Sequence, residues 1–524
     1  MRGREMNLCR DAFEKAERRG RKRMLKVSPL FTDGAVLCRN REIRIFGEAE
    51  DGQVIRCELL NEGKAELCTQ ETEAVGGRFL FSLPPQEAQE HCELKIIGDQ
   101  GEFHAGEIAI GEVFLAGGQS NMEWELQNAD EGPETIRVHA NPKVRYFNVP
   151  RRAYRCEEAE QAFAEAGWRP VEPGGARDMS AVAYFFAMKL QEQIDMPIGI
   201  IDCYWGGTSV TAWLDRDGLE RTREGKRYLT AYEQRAGEKT LEAFLAEDEA
   251  WKAELHAWEE QVAVYKQAHP SASGAEVNRE VGPCPWHPPE GPGSPYRPCA
   301  LYDMMISRVI PYVLSGVLWY QGESDAGLTD EYETLLLSLI ERWRSAFMDQ
   351  RLPFLLVQLP MWIASDAPGD SFTWPEIRMA QSRVRDQLRN CGMVCLLDQG
   401  EWDNLHPTAK RVVGERLAEL ALKEVYGREG RLSPRAVEKY AAGRTLTVVF
   451  SAPIRTGDGK KAALMELAGP DGVFYPAEGD LEGRNLRLYS DRVPFPAHAR
   501  YAWTDFAEIN LFGENGLPAE PFVV

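Results

Sequence analysis

The sequence predicts an α/β protein with a mostly parallel central sheet covered by helices and with β-rich regions before and after it. From Gly111 onward, short apolar runs alternate with segments of helical spacing, which is the pattern of parallel strands joined by helices. Before that point, and again from about Arg431, short alternating strands are separated by turn residues, as in antiparallel β structure. A chain of 524 residues is also too long for one compact core. We therefore expect several domains.

The predicted domain boundaries follow these changes in pattern. Residues 1–24 form a basic tail, residues 25–107 a β-sandwich-like domain, and residues 108–430 the central α/β domain. Residues 431–524 form a C-terminal β-rich region, which is either a separate module or completes the N-terminal one. A helical insertion over about 216–300 interrupts the central domain.

Period-two alternation predicts strands in both β-rich regions. The N-terminal ones are Ile43–Phe46, Val54–Leu59, Arg78–Phe81 and Glu93–Ile97. The C-terminal ones are Thr445–Phe450, Val473–Tyr475, Asn485–Leu488 and Arg500–Trp503.

The central domain is predicted to alternate buried strands with helices. The strands are Val113–Ala116, Val144–Val149, Ile198–Cys203, Gly316–Tyr320, Phe354–Leu359 and Met393–Leu397. The helices are Ser180–Gln193, Thr329–Phe347, Glu376–Leu388 and Pro407–Val425. In such sheets the reactive groups gather at the carboxyl ends of the strands.

The insertion carries an apolar stripe at three-four spacing, which predicts one long helix. The stripe consists of Leu241, Phe244, Trp251, Leu255, Trp258, Val262 and Tyr265. Three roles are open for it: packing on its own domain, a contact in a homodimer, or a lid over the site.

Composition limits the function classes. A net charge of −21 argues against a nucleic-acid ligand, because such binding depends on clustered Lys and Arg. The eleven cysteines have no repeated pair spacing and read as reduced core thiols. Cys284-Pro-Trp-His287 reads as a loop and not as a metal half-site, and we expect no metal or cofactor. The first 23 residues are basic and contain no apolar stretch of signal-peptide or membrane-span length, so we expect a cytoplasmic protein without a membrane partner.

The first candidate for chemistry is Ser120, in the run Gly117-Gly118-Gln119-Ser120-Asn121-Met122. This run follows a predicted strand and precedes a helix-competent segment. A serine on such a turn is presented to solvent, and the free N–H groups of the emerging helix face any negative charge that develops beside it. We expect Ser120 to be a nucleophile.

The second candidate is the pair Asp403 and His406, in Asp403-Asn404-Leu405-His406-Pro407. A nucleophilic serine needs a base within hydrogen-bond reach and a carboxylate that orients this base. Among the eight histidines, His406 is the one with an acid three residues before it. Pro407 suits the first position of a helix, which would place His406 at the helix entrance on the strand-end side of the sheet.

Two further strand exits resemble parts of an acyl-transfer site. The run Trp205-Gly206-Gly207-Thr208 lets a backbone N–H approach a developing oxyanion. In Tyr320-Gln321-Gly322-Glu323-Ser324, the Gln321 amide is a candidate oxyanion donor, and Glu323 is either an organiser of the site or only a structural hydrogen-bond partner.

These motifs make the chain recognisable. GQSNM, WGGT, WYQGESD and DNLHP, in this order, resemble the sialate O-acetylesterase family, a branch of the SGNH hydrolases and their carbohydrate-esterase relatives. The resemblance implies a flavodoxin-like three-layer α/β/α domain with flanking β regions. Met122 stands where α/β-hydrolases have the second glycine of their nucleophile motif, which argues against that other fold.

The resemblance also implies roles for the site residues. Ser120 would be the nucleophile, His406 the base and then the acid, and Asp403 its orienter. The oxyanion site would consist of the N–H groups of Ser120 and Gly207 together with Gln321, and Asn121 and Glu323 would support it. The asparagine that names the SGNH group is absent from the third motif, where Gln321-Gly322-Glu323 stands.

The predicted function is removal of O-acetyl groups from acetylated carbohydrate, through an acetyl-serine intermediate. Acetylated sialic acid is the substrate that the resemblance implies, and acetylated xylo-, xyloglucan- or manno-oligosaccharides are the alternatives. A catalytically silent carbohydrate-binding protein is the alternative of another class. Because a histidine base must be neutral, we expect activity to rise with pH through an apparent pKa of roughly 6 to 7.5.

Overall fold

The protein is organised around one long strand, Gly101–Gly118, in a computed structural model that describes residues 24–524. The first part of this strand pairs antiparallel with Gln89–Gly98 of the N-terminal region. Its second part lies in parallel between Ile198–Tyr204 and Gly316–Tyr320. The predicted boundary at 107/108 therefore falls inside a single strand, and the N-terminal β region and the central sheet are continuous. The predicted tail, residues 1–24, lies outside the described residues except for Met24.

The central part of the sheet is parallel except at one edge, so the protein has a mixed α/β fold. The strand order is Arg169–Val171, Asn141–Asn148, Ile198–Tyr204, Gly101–Gly118, Gly316–Tyr320, Phe354–Val357 and Cys391–Val394. The first of these strands is antiparallel to its neighbour. Because the other carboxyl ends meet at one edge of the sheet, the segments that follow them are brought together there.

The predicted strands and helices of the central domain are present, with shifted ends. Outside the insertion, the α-helices are Ser120–Glu123, Gly132–Val138, Glu157–Ala164, Ala181–Ile194, Ser307–Val309, Thr329–Ala346, Thr373–Gln387 and Lys410–Glu424. Ala181–Ile194 and Lys410–Glu424 pack closely, because a Cβ at Gly414 would lie 2.6 Å from the carbonyl oxygen of Val182. No helix within residues 24–524 combines the length and the apolar character needed to cross a membrane.

The insertion is helical, as predicted. Its helices are Arg216–Glu220, Arg223–Ala236, Leu241–Ala268 and Gly274–Glu280. The long helix follows Thr240, whose hydroxyl caps it by accepting a hydrogen bond from the Ala243 N–H at 3.2 Å. Phe244 is buried, and the indoles of Trp251 and Trp258 donate to the backbone oxygens of Pro285 and Gly282. The helix therefore packs on residues 282–298, here named the return segment because it leads the chain back to the sheet.

The N-terminal and C-terminal β regions are separate. The remaining N-terminal strands are Lys26–Val27, Val36–Cys38, Ile43–Glu48, Val54–Leu60, Glu66–Glu73 and Arg78–Leu83. The C-terminal strands are Ala436–Ala442, Thr445–Phe450, Ile454–Thr456, Met465–Ala468, Phe474–Pro476, Glu478–Glu482, Asn485–Tyr489, His498–Tyr501, Leu511–Gly513 and Phe522–Val523.

Within the described chain, no strand of one β region pairs with a strand of the other. The C-terminal region has its own apolar cluster, which includes Val448, Leu467 and Leu488 and extends to Met361 and Cys395 of the central domain. The C-terminal strands therefore pair with one another, and their apolar cluster lies against the central domain.

Candidate active site

The nucleophile turn, Gly117–Met122, follows the end of the long central strand. Gly118 has φ +135°, and a Cβ there would lie 2.0 Å from the carbonyl oxygen of Tyr320, so this position requires glycine. The buried Gln119 side chain accepts hydrogen bonds from the N–H groups of Gly322 and Ser324, at 3.5 and 3.2 Å. Ser120 is the first residue of the short helix Ser120–Glu123. These hydrogen bonds connect the turn to the residues that follow the neighbouring strand, Gly316–Tyr320.

Ser120 and His406 lie within hydrogen-bond distance, although 286 residues separate them in sequence. The Ser120 Oγ is 2.8 Å from the His406 Nε2. The imidazole lies beside Trp124, with 5.7 Å between ring centroids and 22° between ring planes. The predicted meeting of these two side chains at the strand ends is confirmed. Their geometry is that of a hydroxyl whose proton an imidazole can accept.

His406 is a weaker base than the sequence predicts. Burial lowers its pKa to about 4, and the nearby positive charge of Lys410 acts in the same direction. The shift is toward values below the apparent pKa of roughly 6 to 7.5 that is expected for the activity. The imidazole is neutral at physiological pH and able to accept a proton.

Asp403 does not contact His406 in this arrangement. Its Oδ1 accepts a hydrogen bond from the Ser365 N–H at 2.8 Å, and its Oδ2 accepts one from the Gly274 N–H of the insertion. Burial raises the pKa of Asp403, whereas these hydrogen bonds and the positive charge of Lys266 lower it. The lowering effects are larger in sum, so the pKa of Asp403 lies below its ordinary value. Among the described residues no hydrogen bond joins this carboxylate to the imidazole. Asp403 instead anchors its loop to the insertion.

The loop that carries His406 is shaped by Asn404. The Asn404 Oδ1 accepts a hydrogen bond from the backbone N–H of His406 at 3.1 Å. This local bond competes with helical geometry, and the helix begins at Lys410 instead of Pro407. The predicted helix start was therefore three residues too early.

Two of the three predicted oxyanion donors have free backbone N–H groups. None of the hydrogen bonds in the described chain uses the N–H of Ser120 or that of Gly207. Gly207 has φ +72°, a conformation that glycine adopts without strain. Both N–H groups remain available to an oxyanion.

The prediction for Gln321 is wrong, because its amide is already committed. Its Nε2 donates to the Asp325 Oδ2 at 2.5 Å and to the Thr208 carbonyl oxygen at 3.2 Å. The side chain is fully buried beneath the strand ends. Gln321 therefore connects two strand exits and is not an oxyanion donor.

A buried polar cluster lies beside the reacting pair. The Asn121 Nδ2 donates to the Glu323 Oε1 at 2.6 Å and to the Leu405 carbonyl oxygen at 3.1 Å. The Lys410 Nζ donates to the Asn121 Oδ1 at 2.5 Å. Asn121 and Glu323, the predicted supporting residues, are thus brought together. The cluster ties the nucleophile turn, the third motif and the His406 loop to one another.

The proteins to which this chain is similar include carbohydrate acetylesterases. Residues 286–423 match the family model described as carbohydrate esterase, sialic acid-specific acetylesterase. The sialate O-acetylesterase of Mus musculus is 26% identical over 456 residues, which cover 80% of this chain and 78% of the mouse protein. The enzyme of the same name from Homo sapiens is 26% identical over 454 residues, covering 80% and 75%.

A solved structure is similar over nearly the whole length. A carbohydrate acetylesterase from Xanthomonas citri matches with a TM-score of 0.74 and 26% identity, covering 96% of this chain and 99% of that chain. The resemblance to the sialate O-acetylesterase family is confirmed. The segment that matches the sialate O-acetylesterase family model contains Gln321, Asp403, His406 and Lys410, whereas Ser120 lies outside it.

Sequence reasoning missed two residues of this sialate O-acetylesterase-like site. Lys410 is 1% exposed, and burial lowers its pKa to about 7 against the opposing charges of Glu323 and Glu401. Lys410 lies four residues after His406 at the start of a helix, and this spacing could have identified it from the sequence. The Glu123 carboxylate accepts a hydrogen bond from the Gly206 N–H and forms an ion pair with Arg151. These two contacts hold the loop just before Gly207. No sequence signal marked Glu123, because its partners come from distant strand exits.

Cys284 and His287 lie in a segment without regular secondary structure. Within residues 24–524, no group of three or more His, Cys, Asp or Glu side chains is arranged to hold a metal ion.

Proposed function

We propose that this chain is a serine esterase that removes O-acetyl groups from acetylated carbohydrate through an acetyl-serine intermediate. The observation that carries the proposal is the 2.8 Å contact between the Ser120 Oγ and the His406 Nε2 in a chain that resembles sialate O-acetylesterases. Acetylated sialic acid and acetylated xylo-, xyloglucan- or manno-oligosaccharides are the candidate substrates. The three-layer SGNH-hydrolase architecture belongs to the same proposal.

The first half of the reaction transfers the acetyl group to the enzyme. The Ser120 Oγ attacks the acetyl carbonyl carbon while the His406 Nε2 takes the hydroxyl proton. The tetrahedral oxyanion accepts hydrogen bonds from the N–H groups of Ser120 and Gly207. The bond between the carbonyl carbon and the sugar oxygen then breaks, and His406 gives its proton to the leaving sugar hydroxyl.

The second half returns the enzyme to its starting state. Water attacks the acetyl-serine carbonyl while His406 takes one of its protons. The bond to the Ser120 Oγ breaks, the serine is reprotonated, and acetate leaves.

We assign Asp403 as the third member of the triad. In this role its carboxylate must exchange one of the hydrogen bonds from Gly274 or Ser365 for the His406 Nδ1–H. Catalytic hydrogen bonds are often formed only in the substrate complex, so the resting contacts are compatible with this role.

The test is acetate release by the wild type and by Ser120→Ala. We expect the substitution to lower kcat by about 10⁴- to 10⁶-fold, because removal of the nucleophile disables the whole catalytic unit. Circular dichroism and thermal unfolding confirm that the variant is folded. Near wild-type acetate release by this variant would refute the assignment. A wild type that binds oligosaccharide without releasing acetate would be a catalytically silent carbohydrate-binding protein.

A further inference from the structure

Beside the nucleophile turn lies a cavity that the proposed reaction does not use. Its volume is about 840 Å³, which is in the upper range for small-molecule sites. One wall is the long insertion helix with Trp251 and Leu255, and another is the return segment with Trp286 and Tyr296. Trp205, which directly follows the strand Ile198–Tyr204, also lines the cavity, and the part of the cavity beside Trp205 is here called the inner end. The cavity is thus built jointly by the insertion and the loops of the central sheet.

The inner end of the cavity borders the reacting groups. Gly206 follows Trp205, and a Cβ at Gly206 would lie 3.3 Å from the Cβ of Ser120. The Trp286 ring covers Gly207, since a Cβ at that glycine would lie 2.6 Å from its Cζ2. A sugar whose acetyl group is held at Ser120 therefore has the cavity next to it.

The walls carry an aromatic cluster that is only partly covered. Trp286 lies edge-to-face against Trp251 and Tyr296, with ring centroids 5.6 and 5.9 Å apart. Trp286 is 46% exposed, although a ring of this size is normally covered in a folded protein. Sugar rings have an apolar C–H face and a rim of hydroxyls, so they pack on aromatic rings beside polar groups.

The charges in the walls disfavour an anionic ligand. The lining includes four carboxylates and three permanent cations: Glu158, Asp248, Glu249 and Glu259, with Arg151, Arg152 and Lys252. Two of the cations are neutralised, because Arg151 pairs with Glu123 and Lys252 with Asp248. His256 also lines the cavity, and its Nε2 lies 3.4 Å from the Glu260 Oε1.

After these pairs, the lining retains three carboxylates, those of Glu158, Glu249 and Glu259, and one guanidinium, that of Arg152. The cavity therefore has an excess of negative charge.

We propose that this cavity, here named the insertion subsite, binds the uncharged sugar units that extend from the acetylated residue of an oligosaccharide. The inference rests on the proposed esterase function and deepens it. It assigns the substrate to neutral acetylated oligosaccharides over acetylated sialic acid, whose carboxylate the excess negative charge would repel. Trp251 and Trp286 are the specificity-determining residues.

The test compares Trp251→Ala with Trp258→Ala. Both tryptophans lie on the same helix and donate to a backbone oxygen of the return segment, but only Trp251 lines the cavity. The substrates are an acetylated xylotriose, an acetylated xylose, an O-acetyl sialic acid and 4-nitrophenyl acetate.

We expect the wild type to have a kcat/KM at least about tenfold higher for the acetylated xylotriose than for the acetylated xylose or the O-acetyl sialic acid. Trp251→Ala should raise the KM for the trisaccharide on the order of tenfold more than the KM for 4-nitrophenyl acetate. Trp258→Ala should leave the ratio of these two KM values unchanged. Equal effects on both KM values, equal effects of the two variants, or a wild-type preference for the O-acetyl sialic acid would overturn the proposal.

Calorimetric binding of unacetylated xylotriose separates this inference from the esterase function. We expect Ser120→Ala to bind the trisaccharide as the wild type does, and Trp251→Ala in the same background to bind it at least about tenfold more weakly. Binding without any acetate release from any ester would refute the esterase function but leave the subsite in place. Acetate release without trisaccharide binding would refute the subsite alone.

Discussion

At the scale of single residues, Lys410 links the nucleophile turn to the base. Its ammonium group bonds to Asn121, next to Ser120. Burial is the main cause of the lowered pKa of His406, and the charge of Lys410 lowers it further. The pKa of Lys410 is about 7, so the ammonium group is only partly protonated at neutral pH, but its charge is almost fully present in the acidic range where His406 titrates. Lys410 is therefore a positioning residue that also keeps the base neutral.

This arrangement predicts the pH dependence of the reaction. The pKa of His406 is lowered to about 4, so kcat/KM should rise with pH through about that value and stay flat above about pH 5. Lys410→Met removes a charge that disfavours the imidazolium, so the acidic limb should move to higher pH. Losing the bond to Asn121 should also lower kcat by about tenfold.

The measurement is a set of pH–rate profiles with an acetyl ester as substrate. Lys410→Arg keeps the charge and is expected to keep the limb near its wild-type position. An acidic limb that Lys410→Met leaves in place would contradict the electrostatic role.

The substitution Asp403→Asn tests the role of Asp403. If its carboxylate reaches His406 during catalysis, Asp403→Asn should lower kcat by about 10⁴-fold, as loss of the orienting carboxylate does in serine proteases. The variant keeps the size of the side chain and an oxygen that can accept one N–H. Acetate release within about tenfold of the wild type would show that Asp403 only anchors its loop to Gly274 and Ser365.

At the scale of elements, the long insertion helix has one fully buried side chain, that of Phe244. Phe244 packs against Gly291 and Gly293 of the return segment, where a Cβ on either glycine would lie 2.6 Å from its ring. The rest of the helix is half-buried or exposed. Its attachment, and with it the insertion subsite, depends on this contact together with the hydrogen bonds that Trp251 and Trp258 donate to the return segment.

Phe244→Ala should therefore destabilise the insertion and damage the subsite. We expect a loss of about 3 kcal/mol in the free energy of unfolding, because a buried aromatic ring is replaced by a cavity. Val264→Ala, at a site 70% exposed on the same helix, should change it by less than about 0.5 kcal/mol. Urea unfolding measures both. Equal stability of the two variants would show that Phe244 does not hold the helix.

At the scale of the whole molecule, buried polar contacts join the C-terminal β region to the central domain. The Arg385 Nη1 donates to both carboxylate oxygens of Glu520, at 3.1 and 2.8 Å, and both side chains are nearly buried. The buried Arg378 donates to the carbonyl oxygens of Ala502 and Thr504. The C-terminal region is thus fixed to the helix Thr373–Gln387.

Glu520→Gln should weaken this connection. It removes one of two carboxylates that pair with the nearly buried Arg385 guanidinium, the other being that of the more exposed Asp386, so we expect the free energy of unfolding to fall by about 2 kcal/mol. Glu482→Gln breaks an exposed pair with Arg487 and should cost less than about 1 kcal/mol. Thermal and urea unfolding compare the two. A Glu520→Gln variant as stable as Glu482→Gln would indicate that apolar packing alone holds the region.

The sequence by itself determined the fold class and the meeting of Ser120 with His406. Both residues follow apolar strands, and the carboxyl ends of parallel strands share one edge of a sheet. Their common position at this edge could therefore be predicted without knowledge of the strand order or of the side-chain contacts. The long insertion helix could also be predicted from the sequence, because its apolar residues repeat at helical spacing.

Only the tertiary structure decided what each polar group at that edge bonds to. The Gln321 amide donates to the Thr208 carbonyl oxygen, and the Asp403 carboxylate accepts from the Gly274 N–H, each partner more than a hundred residues away in sequence. The same holds for the bond between the buried Lys410 and Asn121. Hydrogen bonds and desolvation depend on distances of a few ångströms between segments remote in sequence, and a local pattern contains no information about those distances.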